Sequence, residues 1–411
     1  MKPSIEIPAV FLTFLALVRK ASSAVFLIIS LVSLPISKAQ TSPPLLTRQP
    51  PLWSAKPEQV GYDSTVFRKF RAMVGGDEVK VQFLDDQRLA LSWLTPDEAP
   101  THVIDPAKIL SHLHLSIVDA RNGQHLLSHE WRCTARGVNL AYIASGQWLL
   151  SVGESVTLYS PSFDKLGDLQ NVGTQPSHTF VSPSGRTFLS YVTDPHNARS
   201  AELRDSGTFA VIDSWNDSRL DKARILYSDV FALAQISHPG RPQQVYIREI
   251  GGGSWKPHLP PIQGSQPTGF ANDDTLVSQR GHELIAEIIG GTELFRSTPP
   301  DIRLFLSSWS TAATSTRGER FAVILDRMRG LRNGGLDMYP FPSNDQVIVY
   351  SIPQKGAIFS VKVKGESPWP HWSSDPVWNR IALSPSGLLL AISSNEGVRV
   401  YALPPDEQTN R

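Results

Sequence analysis

One short pattern occurs twice in the chain, as Phe180-Val-Ser-Pro-Ser-Gly-Arg-Thr-Phe-Leu189 and as Ile381-Ala-Leu-Ser-Pro-Ser-Gly-Leu-Leu-Leu390. In both copies, an apolar stretch leads into a Ser-Pro-Ser-Gly turn and a second apolar stretch follows. Proline presets the φ of a turn residue, and glycine supplies a positive φ without steric cost. The pattern therefore predicts two β-strands joined by a tight turn.

Weaker versions of this pattern bring the number of predicted hairpins to seven. When the last turn residue is taken as a pivot, the pivots are Asp86, Gly146, Gly185, Asp229, Asp274, Gly318 and Gly387. The intervals between them are 60, 39, 44, 45, 44 and 69 residues. Most match the length of a four-stranded propeller blade, which is about 40–45 residues. The two long intervals contain insertions at 95–111 and 328–344.

An alternating apolar and polar stretch follows most pivots, at 156–159, 201–204, 245–248, 283–286, 347–350 and 398–403. This alternation places one face of a strand against a neighbouring sheet. After the N-terminal segment, no window longer than about ten residues shows a helical stripe, so we expect helix to be a minor component.

The turns Ser182-Pro-Ser-Gly185 and Ser384-Pro-Ser-Gly387 resemble those of the β-propeller superfamily, specifically the WD-repeat and quinoprotein-like propellers. The resemblance covers residues 60–405, and the chain looks like an exported bacterial propeller. It implies an all-β fold, a seven-bladed β-propeller of four-stranded antiparallel blades. No blade ends in the Trp-Asp dipeptide of the family, and only His178 stands where its Gly-His pair would place a histidine. The resemblance therefore bears on fold and not on function.

The last blade runs out after residues 398–403, which leaves three strands where four are needed. We expect an N-terminal strand to complete this blade, because pairing the two ends of the domain removes an open sheet edge. The candidate strands are 65–73 and 79–83. Deletion of residues 40–78 is therefore expected to destabilise the domain.

Residues 1–39 have the order of a secretory signal, with the basic pair Arg19-Lys20, an apolar run at 24–34 and small residues up to Ala39. The apolar run has about a dozen residues, whereas a spanning helix needs roughly 20. We expect cleavage after Ala39, a periplasmic or extracellular location, and no membrane span after cleavage. An uncleaved anchor that uses the apolar stretch 11–18 as well is the alternative.

Two flanking segments are expected to lie outside the propeller. Residues 40–59 are rich in Pro, Ser and Gln, which predicts an extended lead-in without packing of its own. Residues 406–411 are expected to form a disordered tail.

The composition excludes several classes of protein. With 411 residues, of which 41% are hydrophobic, the chain can bury a sizeable core. A net charge of +1 argues against a nucleic-acid partner, which requires a basic face. The single cysteine, Cys133, excludes an intramolecular disulfide and a thiolate metal cluster. We expect a monomer.

Four histidines lie close together in sequence, at His112, His114, His125 and His129. His112 and His114 are two residues apart on a predicted strand, so they share a face and could reach one ion. No carboxylate lies beside them in sequence to orient a ring, so we expect solvent-facing histidines and no metal. Asp85, Asp86, Asp273 and Asp274 lie in pivot turns, where aspartate is favoured for turn formation.

Other motifs give little support for chemistry. Gly251-Gly-Gly-Ser-Trp-Lys256 lacks the second glycine of a hydrolase elbow and predicts a hairpin turn. The chain contains no phosphate-binding glycine motif, so no nucleotide cofactor is expected. The tryptophans at 369, 372 and 378 indicate packing between blades or a stacking platform. The arginines at 327–335 indicate a solvated insertion or an anion contact.

Propeller ligands usually bind at the central mouth, which is lined by the segments just before each inner strand. The corresponding residues here are Arg136, His178, Trp309, Trp378 and Arg380. Aromatic and cationic side chains suit an anionic or sugar-like ligand or an acidic peptide. We therefore expect a binding or scaffold module without catalysis, whose partner is a protein, peptide or glycan. The alternative is a propeller enzyme of the lactonase, glycan lyase or quinoprotein dehydrogenase type with active-site residues not identified.

Overall fold

The structure is a computed structural model that describes most of the chain after residue 48. The described residues are 49–62, 79–97, 109–134, 138–170, 172–173, 181–193, 199–215, 223–236, 244–258, 266–280, 283–298, 309–315, 317, 319–325, 344–364, 380–394 and 396–405. The sites proposed from the tryptophans at 369 and 372 and from the arginines at 327–335 lie outside them.

The described residues form twenty-eight β-strands. In chain order, the first fourteen are β1 (Trp53–Ala55), β2 (Lys80–Phe83), β3 (Arg88–Pro96), β4 (Leu110–Asp119), β5 (His125–Thr134), β6 (Asn139–Tyr142), β7 (Trp148–Val152), β8 (Ser155–Tyr159), β9 (Lys165–Gln170), β10 (Val172–Gly173), β11 (Thr187–Thr193), β12 (Arg199–Asp205), β13 (Val211–Trp215) and β14 (Arg224–Tyr227). The others are β15 (Phe231–Ile236), β16 (Gln244–Glu249), β17 (Lys256–Pro257), β18 (Gln266–Phe270), β19 (Thr275–Arg280), β20 (Glu283–Ile288), β21 (Thr292–Ser297), β22 (Trp309–Thr314), β23 (Arg320–Leu325), β24 (Asn344–Ser351), β25 (Gly356–Lys364), β26 (Ile381–Leu383), β27 (Leu389–Ser394) and β28 (Gly397–Ala402).

These strands form seven four-stranded antiparallel sheets, which are the blades. Blades 1 to 6 are the consecutive quartets from β2–β5 to β22–β25, and blade 7 contains β26, β27, β28 and β1. Each pivot falls between the first two strands of its blade, and each predicted alternating stretch falls in a third strand. The prediction of a seven-bladed, all-β propeller is confirmed. Among the described residues the helical structure is the 3-10 segment Pro57–Val60, and no helix there is long and apolar enough to cross a bilayer.

The core is divided among the junctions between neighbouring blades. Seven clusters of buried apolar residues occur in the described part of the chain, and each joins two adjacent blades. For example, Phe321 and Tyr350 of blade 6 stack with ring centroids 5.3 Å apart, and both pack against Phe295 of blade 5. Sheets of this kind are apolar on both faces, because each face is covered by a neighbour.

The ring is closed by an N-terminal strand in blade 7, as predicted, but the strand is a different one. β1 pairs antiparallel with β28, with Trp53 opposite Val400 and Ala55 opposite Val398. The candidate 79–83 instead supplies β2, the inner strand of blade 1, and the candidate 65–73 lies outside the described residues. The closing strand comes from the segment 40–59, which was expected to have no packing of its own. Its three residues are too few to show a strand pattern.

Trp53 also ties blade 7 to blade 1. Its indole Nε1 donates a hydrogen bond to the carbonyl oxygen of Ala120, over 2.9 Å. A Cβ on Gly123, in the same turn, would lie 2.9 Å from the Trp53 ring. The closing strand is therefore held by its backbone in one blade and by its side chain in the next.

The pivot turns also connect neighbouring blades. Asp229 of blade 4 accepts hydrogen bonds from Ser184 and Thr187 of blade 3 and pairs with Arg186. Burial acts to raise the pKa of Asp229, but these hydrogen bonds and the Arg186 charge together hold it below its usual value. Further links include Ala144 N to Gly185 O at 3.2 Å, Asp229 N to Asp273 Oδ1 at 3.2 Å, Arg320 Nη1 to Gly387 O at 2.8 Å and Ser386 N to Asp86 Oδ1 at 3.0 Å.

Turn formation therefore explains the presence of Asp85, but it explains only part of the role of Asp86 and Asp273. Asp85 accepts hydrogen bonds from the backbone N–H groups of Gln87 and Arg88 within its own turn. Asp86 and Asp273 instead accept backbone N–H groups of a neighbouring blade. The predicted turn at Gly251 and Gly252 is confirmed, since it joins β16 to β17.

The hairpins between third and fourth strands share one backbone feature. In six blades this turn contains a residue with positive φ, and these residues include Gly123, Phe163, Phe209, Gly252, Gly291 and Lys355. A phenylalanine in this region is strained. Phe163 of blade 2 offsets the strain by stacking on His129 of blade 1, with ring centroids 4.1 Å apart.

Substitution of Gly397 is expected to break the closure of the ring. Gly397 has φ +110°, and an added Cβ would lie 1.9 Å from the carbonyl oxygen of Ala55 in β1. Gly290 has φ +111° with no atom within 4 Å of such a Cβ, so it is a matched control for backbone strain. We expect Gly290→Ala to lower the free energy of unfolding by about 1–2 kcal/mol. Gly397→Ala should lower it by at least about 2 kcal/mol more, because β1 must move.

Chemical denaturation of the two variants beside the wild type measures this difference. Equal losses of stability in the two variants would show that β1 does not stabilise the ring.

Candidate functional site

The two ends of the blades carry different connections. The pivot face is the end with the turns between first and second strands, such as 84–87, and between third and fourth strands, such as 120–124. The mouth face is the opposite end, where each chain segment passes from an outer strand to the next inner strand. Antiparallel pairing in all seven sheets places every inner-strand start on the mouth face.

The residues predicted for the mouth are placed only in part. Trp309 is the first residue of β22, and Arg380 immediately precedes β26. Both therefore lie at inner-strand starts on the mouth face. The carbonyl oxygen of Arg380 accepts a hydrogen bond of 2.8 Å from the backbone N–H of Ser393. Arg136, His178 and Trp378 lie outside the described residues, so the proposed set of five remains a prediction.

Polar side chains on the inner strands of blades 1 and 2 link those blades. The side-chain amide of Gln82 donates to the carbonyl oxygen of Tyr142 over 2.7 Å and accepts from its N–H over 2.8 Å. Lys80 Nζ donates to the carbonyl oxygen of Val138 over 3.3 Å. These groups fix the position of blade 2 beside blade 1 near the axis.

A second candidate site lies on blade 1, where the structure groups polar side chains that are distant in sequence. We define the histidine cluster as Thr95, Asp97, His112, His114 and Glu130. β4 lies between β3 and β5, and the register places His114 opposite both Trp93 and Glu130. The cluster is at the mouth-face ends of these strands, on the face of blade 1 that packs against blade 7 through Trp93.

The histidine cluster is joined by a continuous row of polar contacts. Asp97 Oδ1 lies 2.9 Å from His112 Nε2, and the other ring nitrogen of His112 faces Glu130 Oε1. Glu130 Oε2 is 3.1 Å from His114 Nδ1, and His114 Nε2 is 2.6 Å from Thr95 Oγ1. Whether the Thr95 hydroxyl donates to Nε2 or accepts from it depends on the tautomer of His114. The Glu130 carboxylate, which only accepts hydrogen bonds, favours the tautomer with its proton on Nδ1.

The environment of His114 favours the neutral ring. Burial is the main reason that the pKa of His114 is below its usual value, and the neighbouring His112 acts in the same direction. Glu130 opposes both effects. The indole of Trp93 stacks on the His114 ring with centroids 5.5 Å apart and supplies part of this apolar cover.

The expectation of solvent-facing histidines without carboxylate partners is wrong for His112 and His114. Their side chains are only 33% and 27% exposed, and Asp97 and Glu130 contact them. The sequence places these carboxylates 15 to 18 residues away, beyond a hairpin or an insertion. Only the register of β3, β4 and β5 brings them together. In the described part of the chain, no group of His, Cys, Asp and Glu has a metal-binding arrangement.

These observations define the class of protein. Seven antiparallel sheets around one axis, joined by seven apolar junctions and closed by an N-terminal strand, make the chain a seven-bladed β-propeller. No protein-family model matches the chain, and no curated protein matches it by sequence.

The solved structures similar to this chain are WD40 and other β-propeller domains. The C-terminal WD40 domain of Sif2 matches with a TM-score of 0.40 and 12% identity, over 80% of this chain and 97% of that one. Hydrazine synthase from Kuenenia stuttgartiensis matches with a TM-score of 0.45 and 13% identity, over 78% and 94%. The β-propeller domain of the Trilobed protease from Pyrococcus furiosus matches with a TM-score of 0.45 and 7% identity, over 80% and 95%. At sequence identities this low, the similarity relates to the fold and gives no information on function.

We expect His114 to become protonated at a lower pH than an ordinary histidine, because its pKa is lowered. Burial disfavours the charged ring in the folded state, so its pKa should lie below the ordinary histidine value of about 6.5. The stability that neutral His114 contributes is therefore present above about pH 6.5 and is lost as the pH falls through the lower folded value. Glu130→Gln removes the charge that favours the ring cation and should lower this pKa further.

NMR titration of the His114 ring in the wild type and in Glu130→Gln measures both values. A wild-type pKa above 6.5, or a rise in the variant, would contradict the described environment.

Proposed function

We propose that the protein is an exported β-propeller that binds a ligand or partner at its mouth face. The observation that carries the proposal is the position of Trp309 and Arg380 at two inner-strand starts on that face. Tryptophan and arginine are residue types that suit an anionic sugar or an acidic peptide as ligand. Export is supported by the signal-like order of residues 1–39.

The packing of the blades supports a scaffold role. Apolar side chains and pivot-turn hydrogen bonds connect neighbouring blades around the ring. Such a ring holds mouth residues from several blades in fixed relative positions. Preorganisation lowers the entropy lost when a ligand binds.

Substitutions at the mouth test the proposal. Full-length wild type, Trp309→Ala and Arg380→Ala are titrated by calorimetry with polygalacturonate oligomers and with a polyglutamate peptide. At least one probe should bind the wild type, and each substitution should weaken it by about tenfold or more. Arg88→Ala is the control, because Arg88 lies on the pivot face and pairs with Asp85.

Unchanged affinity in both mouth variants, or an equal loss in Arg88→Ala, would overturn the proposed site. Absence of binding by the wild type to both probes would overturn the proposed ligand class.

The second candidate function is catalysis, and the row Thr95, His114 and Glu130 favours it. A hydroxyl 2.6 Å from an imidazole, with a carboxylate on the other ring nitrogen, is the arrangement used to activate a nucleophile. Its test is hydrolysis of p-nitrophenyl acetate by the wild type and by Thr95→Val. A rate above that of free imidazole that falls by about 100-fold in the variant would support catalysis. Equal rates would exclude a role for this row.

A further inference from the structure

The outer strands share a β-bulge near their starts. In blades 1, 2, 3, 5 and 6 the register between the third and fourth strands shifts by one residue, which leaves one outer-strand residue unpaired. That residue is aliphatic in all five blades, and the five are Leu126, Leu166, Ile212, Leu294 and Ile358. A β-bulge re-aims the side chain of its extra residue.

Equivalent bulge residues differ in burial. Ile358 is buried, and Leu294 packs against the core between blades 5 and 6. Leu126, Leu166 and Ile212 are instead 49%, 52% and 43% exposed. These three residues, which we call the bulge strip, belong to consecutive blades. A position that is aliphatic in all five of these blades but covered in only two of them indicates that the uncovered part meets an apolar partner.

The bulge strip belongs to a wider apolar edge on the pivot face. Each strip residue lies within three residues of a turn between third and fourth strands, so all three are at this end of the blades. Most other large apolar side chains that are exposed in the described residues are there too, namely Leu52, Leu127, Val211, Val230 and Leu388. Leu110 is the exception, since it begins β4 at the mouth face.

The N-terminal segment reaches the propeller at the same edge. Leu52 donates its N–H to the carbonyl oxygen of Val400 over 2.7 Å, so Leu52 lies toward the pivot-face end of β28. Trp53 packs on the turn 120–124, which directly precedes Leu126. The chain before Leu52 contains the apolar run 24–34. The intervening residues, 35–51, can span at most about 60 Å.

The charges around the bulge strip are nearly balanced. The turns and strand ends beside the three bulges carry Asp119, Arg121, Asp164, Lys165 and Asp205. Such an edge offers apolar contact without a strong attraction to anionic lipid.

We infer that the bulge strip lies on a lipid bilayer and inserts its aliphatic side chains into the interface of a neutral membrane. The occupant is a bilayer because the strip lies on the same face of the blades as Leu52, and the chain before Leu52 contains the apolar run 24–34. The inference therefore rests on the alternative in which residues 1–39 are not cleaved and remain as an anchor. The contact leaves the mouth face directed away from the membrane. It does not depend on the identity of a mouth ligand.

A fluorescent label at the strip tests this contact in the full-length chain. Leu166→Cys is labelled with an environment-sensitive dye, and Glu293→Cys, beside the covered bulge of blade 5, is the control. Cys133 stays unlabelled at neutral pH, because it is buried and burial raises its pKa to about 11. With phosphatidylcholine vesicles, we expect a blue shift and quenching by doxyl lipids at position 166 and neither effect at position 293.

Further substitutions separate the strip from the N-terminal segment. The double substitution Leu126→Ser, Ile212→Ser is made in the chain that carries the dye at position 166. It should raise the lipid concentration that gives half of the maximal blue shift by at least about tenfold. Leu110→Ser is the matched control, because Leu110 is 48% exposed on the opposite face. It should leave the shift unchanged, as should raised salt.

Three outcomes would overturn the inference. One is a label at 166 that stays in water while the protein sediments with vesicles. Another is an unchanged lipid dependence in the Leu126→Ser, Ile212→Ser chain. The third is a dimer that the chain with an intact strip forms without lipid and that the Leu126→Ser, Ile212→Ser chain does not form. That result would show that the strip binds a second copy of the chain.

Discussion

Apolar packing between neighbouring blades is the interaction on which the rest of the structure depends. A blade buries both of its faces only when it has a neighbour on each side, so the last blade must meet the first. β1 makes this meeting continuous, because its backbone belongs to blade 7 while Trp53 bonds to Ala120 of blade 1. The short strand thus covers an edge that would otherwise remain open.

Much of the fold could be predicted because its signals are local. The pivots Gly185 and Gly387 have φ of +76° and +72°, which are backbone values that glycine adopts without strain. The alternating stretches reflect the two faces of a strand. The closing strand could not be predicted, since Trp53–Ala55 is defined by its partner β28, about 345 residues away. A three-residue strand leaves no periodic pattern of its own.

The candidate sites, too, could be predicted only where their signals are local in the sequence. The mouth residues were predicted from blade phase, and the described starts of β22 and β26 place Trp309 and Arg380 on the mouth face. The histidine cluster was only half predicted, because the shared face of His112 and His114 is a property of one strand. Their contacts with Asp97 and Glu130 depend on the pairing of three strands, which the sequence does not specify. The aspartates of the pivot turns show the same limit, since Asp85 caps its own turn whereas Asp273 bonds to Asp229 of another blade.

The pairing of β1 with β28 has a consequence for synthesis. At about 5–20 residues per second, the ribosome makes β28 roughly 17–70 s after β1. Through that interval the nascent chain can complete six blades, but Trp53 has no strand to join. Contacts of such long sequence separation form slowly because of the entropy of closing the loop. The pairing of the earliest strand with the latest therefore has to wait until synthesis is nearly complete, and until then the edge of β28 has no partner strand.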